Sequence, residues 1–489
     1  MSKVVLEKRE EYQYFVSPTF RPTTGYPEYP FEEIDSGTNA VYDMVRSVFH
    51  RMALDEDNYG TADWNPLKTL IEPGNTVLIK PNFVMDHNPS GEGTDCLYTQ
   101  PSVVAAVVDY VFIALQGKGR IVLGDAPMQE CDFPKLMAQS GYDRLCAYYQ
   151  EKCGDGLSFE LVDFRGVTST KLKGVYHYKE HDQAGVVVDL GDKSAFSELT
   201  EGQYKNLRIT NYDPEILRQH HCPGRNEYCV SRYVLDADVI INMPKPKTHR
   251  KAGVTIAMKN LVGINARKEY LPHHTNGAYE GSGDEYLKKS CLKKMMDFCL
   301  DRRNHCTQAD QKYRLARMYH TVFTLLTAIS CRMDRDPYYE GSWYGNRTIS
   351  RTIVDLNKIL FYADKGGIMR DSVQRKYLIV ADMIVSGQKE GPVAPSALNV
   401  GMIAAGTNPV CFDEAIATLM GAKINRIDTL RQARNTHGGY ALAEETDQAY
   451  LVSNDPRYDG KTIPELAKKD LFYFVPTTGW MEAFYPKED

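Results

Sequence analysis

Long apolar runs are scarce in these 489 residues. The longest, SVVAAVVDYVFIAL at 102–115, is interrupted by Asp109 and falls short of the roughly 20 residues a spanning helix needs. It reads as a buried helix. The opening MSKVVLEKREEYQYF has no apolar core behind its basic residues, so no secretory signal is expected. The expected address is the cytoplasm, without a membrane partner. Tight cysteine pairs are missing as well. Eleven cysteines occur, at spacings such as Cys222-x6-Cys229, Cys291-x7-Cys299 and Cys299-x6-Cys306. None matches the C-x2-C pairs of zinc sites or the runs that hold iron–sulfur clusters, so reduced thiols are expected and a four-iron cluster is not. No G-x-G-x-x-G follows an early strand, and G-x-x-x-x-G-K-[ST], G-x-S-x-G and H-E-x-x-H are absent. Those absences weigh against dinucleotide-dependent dehydrogenases, P-loop enzymes, lipases and zincins. A formal net charge of −6 weighs against nucleic acid as a partner.

What is present is alternation. Short β-branched runs, NTVLIKPNF (75–83), GRIVLGDAP (119–127), SFELVDF (158–164) and ADVIINMP (237–244), are interleaved with helical stretches at 102–116 and 133–150. This pattern predicts an α/β fold with mainly parallel sheets covered by helices on both faces. Residues 1–40 are rich in aromatics and proline and read as an extended arm over a domain surface. Residues 284–335 carry apolar residues at helical spacing and read as a helical insertion. Strands return at 376–386 and 400–406, followed by a helix from Pro409, a favourable first-turn residue. The length exceeds what one core accommodates, and the expected division is an N-terminal lobe, 1–232, and a C-terminal lobe, 233–489.

Charge is distributed unevenly. The segment Ile241–His274 holds seven Lys or Arg, three His and one carboxylate in an otherwise slightly acidic chain. Ligands of open α/β sheets bind beyond the carboxyl ends of strands, and those ends supply Lys80, Asn82, Asp125, Lys245, Lys247, His249 and Asp382. Two prolines hold MPKPKTH extended, and alternation then sends Lys245 and Lys247 to one side. Paired ammonium groups call for an anion between them, a carboxylate or a phosphate. Lys259 leaves the apolar run AGVTIAM, surroundings that lower a lysine pKa and free the amine as nucleophile or base. Asn260, His273, His274 and Glu390 complete the candidate set, with His274 and His273 as the candidate metal ligands. Asp413, in the first turn after Pro409, has a sufficient structural reason in the helix dipole.

The strings VLIKPNFV, GDAP, ADVIINMPKPKTH, GVTIAMKNLVG, LPHH, IVADMIVSGQKEGP and GTNPVCFDEAIATLMG together resemble the family known as domain of unknown function 362, in its form without an added ferredoxin module. The chain is also similar, more weakly, to the nickel-pincer lactate racemases. His249, Lys259 and His274 stand at intervals of ten and fifteen. That likeness implies proton exchange at His249, a tethered pyridinium cofactor on Lys259 and nickel near His274. The glycine pair before the lysine is replaced here by Ala-Met.

These readings converge on an enzyme acting on a small anionic substrate between two lobes, of racemase, epimerase or oxidoreductase type. Lys80, Lys245 and Lys247 would neutralise the anion, with Asn82, Asn260, Asp382 and Glu390 beside it. Lys259, His249 and His274 would do the chemistry, oriented by Asp125. Two other readings stay open: a non-catalytic binder of an anionic metabolite, and a metal or iron–sulfur redox protein. A homo-oligomer is compatible with either.

Overall fold

The structure is a computed structural model describing residues 1–10, 14, 20–183, 185–333, 336–436 and 439–485. One large sheet organises it. Its strands run in the order Lys461–Thr462, Ala449–Ser453, Ser2–Lys8, Ala394–Gly406, Lys376–Glu390, Val239–Met243, Thr76–Pro81, Gly119–Asp125 and Leu157–Asp163. From Lys376–Glu390 to Leu157–Asp163 neighbours are parallel; the pairings of Ala394–Gly406 with Lys376–Glu390 and with Ser2–Lys8 are antiparallel. The expected α/β class with a mainly parallel sheet flanked by helices is what the chain adopts.

The parallel strands are hydrophobic along their length because both faces are covered. Val77 and Ile79 point into one core with Val103, Val107 and Tyr110 of the helix Pro101–Leu115, while Leu78 faces the other core with Ile240, Ile353 and Ile379. Alternate residues of one strand thus serve two helix layers.

Three features depart from the sequence reading. The boundary at 232/233 does not divide the sheet, since Val239–Met243 is hydrogen-bonded to Thr76–Pro81. The site therefore lies above one continuous sheet and not in a cleft between two. The N-terminal residues are also more than an arm: Ser2–Lys8 is an inner strand between Ala394–Gly406 and Ala449–Ser453. Its VVL core is buried on both sides, which an arm lying over a surface would not provide. The helix expected over 133–150 is two, Phe133–Ser140 and Tyr142–Lys152, separated by Gly141 at φ +87°. The 284–335 insertion is a helical hairpin, Cys291–Gln308 and Tyr313–Met333.

Candidate active site

The segment between Val239–Met243 and the helix Ala257–Asn260 builds the site. Pro244 and Pro246 have no N–H to donate, but their carbonyls accept from Asp382 N (3.0 Å) and Gly387 N (3.2 Å). The chain is thereby held against Lys376–Glu390 and continues as a tight hairpin, Lys247–His249 with Gly253–Thr255. The short helix that follows is capped from elsewhere. Both oxygens of Asp413 accept, from Ala257 N at 2.9 Å and Met258 N at 3.0 Å. Asp413 thus serves the orphan N–H groups of the helix that carries Lys259, and not the dipole of its own helix.

A cavity of about 190 Å3 opens at the carboxyl ends of Thr76–Pro81 and Gly119–Asp125. Asn82, Asp125, His249, Lys259, Asn260 and His273 line it, so six of the sequence candidates meet there. Arg250, Lys251, Lys268 and the stretches Pro127–Gln129 and Ile209–Tyr212 also line it. Of these, the cations stood in the basic segment without being singled out and Pro127 closes the GDAP string, while 128–129 and 209–212 carry no sequence signal. The helix Cys291–Gln308 backs one wall, where the Asn304 amide donates to Thr210 O and Tyr212 O, each at 3.0 Å.

The three lysines expected to neutralise an anion do not line this cavity, and each is already satisfied. Lys80 Nζ lies 2.7 Å from Asp125 Oδ1 and also donates to Pro81 O and Asn260 Oδ1. Lys245 donates to Asp382 Oδ2 at 2.8 Å and to the Tyr14 hydroxyl at 2.6 Å. Lys247 donates to Asn82 Oδ1 at 2.6 Å and to Leu97 O. All three side chains are fully enclosed. Burial and the nearby Lys245 charge push the Lys247 pKa well down. Together with Asp125, whose oxygens also accept from Phe83 N and Ala126 N, they form a polar floor that fixes the loops of the cavity. Asp125 is therefore a positioning residue. Asp382 belongs to the same floor, and Glu390 is exposed and receives Thr478 at the protein surface.

Backbone approaches the floor closely at Gly263. A Cβ there would stand 1.9 Å from Asp125 Oδ1 and 2.9 Å from Lys80 Nζ. Gly263→Ala is expected to force this enclosed ion pair apart and to cost at least about 3 kcal/mol of stability. Urea denaturation checks it, and a loss below about 1 kcal/mol would mean that the floor tolerates the methyl group.

Four other cations, Arg250, Lys251, Lys259 and Lys268, surround the cavity. Among the described residues, Lys259 Nζ makes no hydrogen bond or ion pair. Burial lowers its pKa from 10.5 to about 8, with help from the Lys268 and Lys80 charges. The Lys268 pKa is lowered by burial also. Lys251 is brought to about 8 by burial, and it donates to Thr210 Oγ1 and Glu340 O.

The two imidazoles have opposite hydrogen-bonding roles. His249 Nδ1 accepts from Lys251 N and Ala252 N, each at 3.1 Å, which fixes the ring proton on Nε2. His273 Nδ1 lies 2.6 Å from Leu271 O, a pure acceptor, which fixes that ring proton on Nδ1 and leaves Nε2 a lone pair. Burial, reinforced by neighbouring cations, holds both rings well below 6.5 and so neutral. One histidine is a committed donor and the other a committed acceptor.

His274 does not join them. It pairs in register with Arg208, is enclosed, and has Nε2 3.6 Å from Glu285 Oε1. Of the two candidate metal ligands, His274 is therefore turned away from the cavity that Lys259 lines, while His273 stays in it. Among the described residues no three His, Cys, Asp or Glu side chains are grouped to hold a metal ion.

The fold and cavity define an open α/β protein with its cavity at the carboxyl ends of its parallel strands, where such folds bind ligands. The chain belongs to the family described as domain of unknown function (DUF362), which it matches over residues 77–193 and 191–418. A curated relative, "Thylakoid-associated protein sll1697" of Synechocystis sp. (strain ATCC 27184 / PCC 6803 / Kazusa), is 26% identical over 193 residues, which is 40% of this chain and 40% of that protein. The match thus spans less than half of that relative. No solved structure matches the chain.

Proposed function

We propose that the cavity binds a small anionic substrate and moves a proton at a carbon next to its oxygenated group, a racemisation or epimerisation. The observation supporting this reading is the joining of cations and two tautomer-fixed imidazoles around one enclosed space. Lys268 and Arg250 neutralise the carboxylate or phosphate. Lys259, with a pKa near 8, has amine available at neutral pH and takes the proton. The Nε2–H of His249 donates to the oxygen on which negative charge develops, a role that a neutral imidazole performs without giving up its proton. For one enantiomer the free Nε2 lone pair of His273 takes the carbon-bound proton while the Lys259 ammonium returns one to the other face of the carbon; for the opposite enantiomer the two reverse these roles, so one proton leaves and one arrives in each inversion.

The test is isotope exchange. The protein is incubated in D2O with a panel of small 2-oxo, 2-amino and 2-hydroxy carboxylates and sugar phosphates, and the carbon-bound protons are followed by NMR. Exchange on one of these is expected, falling by a factor of about 10² to 10⁴ in Lys259→Met. An anion that binds without exchange would make the site a binding site only.

A further inference from the structure

Away from the cavity, the helical hairpin presents an uncovered apolar face. Its inner seam is filled by Met296, Cys299 and Leu326, with Leu292 and Phe323 packed against them. The opposite side is not buried. Met318, Val322 and Leu325 follow one another at helical spacing on Tyr313–Met333, and Leu325 is 62% exposed. Met295 and Phe298 stand beside them on Cys291–Gln308, and Phe298 is 60% exposed although its ring meets Tyr319 edge-on across the pair. A third element packs on the far side of the same helix, since His320 lies two residues from both Met318 and Val322. The turn of the hairpin Val167–Leu172 and Val175–Glu180 is pressed onto the helix so closely that a Cβ on Gly174 would stand 1.9 Å from His320 Nε2. That turn carries exposed Leu172 between exposed Lys171 and Lys173.

The rim is basic. Residues 288–333 hold ten Lys or Arg against three Asp and no Glu, in a chain whose net charge is −6. The helix Tyr313–Met333 has three Arg and no carboxylate. Lys294, Arg302 and Arg314 are exposed around the apolar residues. A second copy of the chain is a poor occupant, because a twofold contact sets this cationic face against itself. Exposed apolar side chains ringed by Lys and Arg on a helix surface match a layer whose interior is apolar and whose boundary is anionic.

We propose that the 291–333 hairpin docks on the surface of an anionic lipid bilayer. The large apolar side chains enter the headgroup–acyl boundary and the basic rim lies among the lipid phosphates. No helix of the described residues is long and apolar enough to cross a membrane, so the contact is peripheral.

Sedimentation of the full chain with vesicles tests this. Binding is expected to vesicles of phosphatidylcholine containing phosphatidylglycerol, not to phosphatidylcholine alone, and to weaken as salt is raised. Each of Lys294→Gln and Arg302→Gln is expected to weaken it about fivefold, and Phe298→Gln with Leu325→Gln to abolish it. These side chains are exposed, so circular dichroism and the thermal midpoint should match the unsubstituted protein. Absence of binding, or equal binding to both vesicle types, overturns the proposal. So does a concentration-dependent dimer in ultracentrifugation that Phe298→Gln dissociates, which would give this face to a second copy.

Discussion

Lys259→Met is expected to make the ligand-free protein more stable at pH 7, by about 2–3 kcal/mol, while weakening the affinity for small anions that Lys268 and Arg250 continue to supply. The stabilisation follows from linkage. In the unfolded chain this amine keeps its proton to about 10.5; in the folded protein it does so only to about 8, chiefly because the cavity wall strips water from it. Below pH 8 the folded state carries the ammonium at full electrostatic cost. The cost shrinks as pH rises from 8 and is gone above 10.5. At about 1.4 kcal/mol per pKa unit, and with some screening through the cavity mouth, the penalty at pH 7 reaches the stated size. Methionine has nearly the same shape and carries no charge. Chemical denaturation at pH 7 and pH 10.5 checks both parts: the variant should gain at the lower pH and not at the higher.

The same argument fixes how an anion should behave. Phosphate in the cavity restores the charge that burial disfavours, so binding between pH 8 and 10 takes up a proton and weakens by up to about tenfold per pH unit. Calorimetry in buffers of different ionisation enthalpy reads the uptake directly. Binding that is indifferent to pH over this range would place the anion away from Lys259. A residue that destabilises the empty fold and is stabilised by a ligand of opposite charge is the mark of a site held ready at the expense of stability.

Much of this was legible from residue order, and the failures have physical causes. The parallel strands declared themselves as β-branched runs because both faces of the sheet are covered. Ser2–Lys8 did not, because it stands alone before a proline-rich stretch, and its partners Ala394–Gly406 and Ala449–Ser453 lie at the far end of the chain. That Lys259 and His249 share one cavity with strand-exit residues followed from residue order. The assignment of its cations did not. A strand-end lysine facing an anion and one facing an enclosed carboxylate have the same local sequence; Lys245 finds Asp382 across 137 positions. The pair His273–His274 shows a finer limit. Adjacent residues of an extended segment point to opposite sides, so one of the two had to leave the cavity. Spacing to Lys259 favoured His274, whereas packing turned His273 inward.

Lys245→Met should lower stability by about 3–5 kcal/mol, the largest loss expected from any single substitution in the floor of the cavity. The ion pair it breaks is wholly enclosed: both side chains have no exposed surface. Desolvation makes such a pair a weak net contributor when intact, but removal of one partner strands the other in a medium that cannot solvate it. Asp382 is tied in besides, accepting from the Tyr14 hydroxyl at 2.6 Å and Gln100 N at 3.0 Å, while the same hydroxyl receives Val385 N at 3.0 Å. Loss of the ammonium therefore leaves a carboxylate anchored where it is, unable to turn to water. Adding Asp382→Asn to Lys245→Met removes the stranded charge and keeps an oxygen for Tyr14, so the double variant should recover at least half of the loss, a coupling that equilibrium denaturation of the four proteins measures. A lysine that instead held substrate would give the opposite pattern: Lys245→Met would be close to neutral for the ligand-free fold, and Asp382→Asn would do nothing to rescue it.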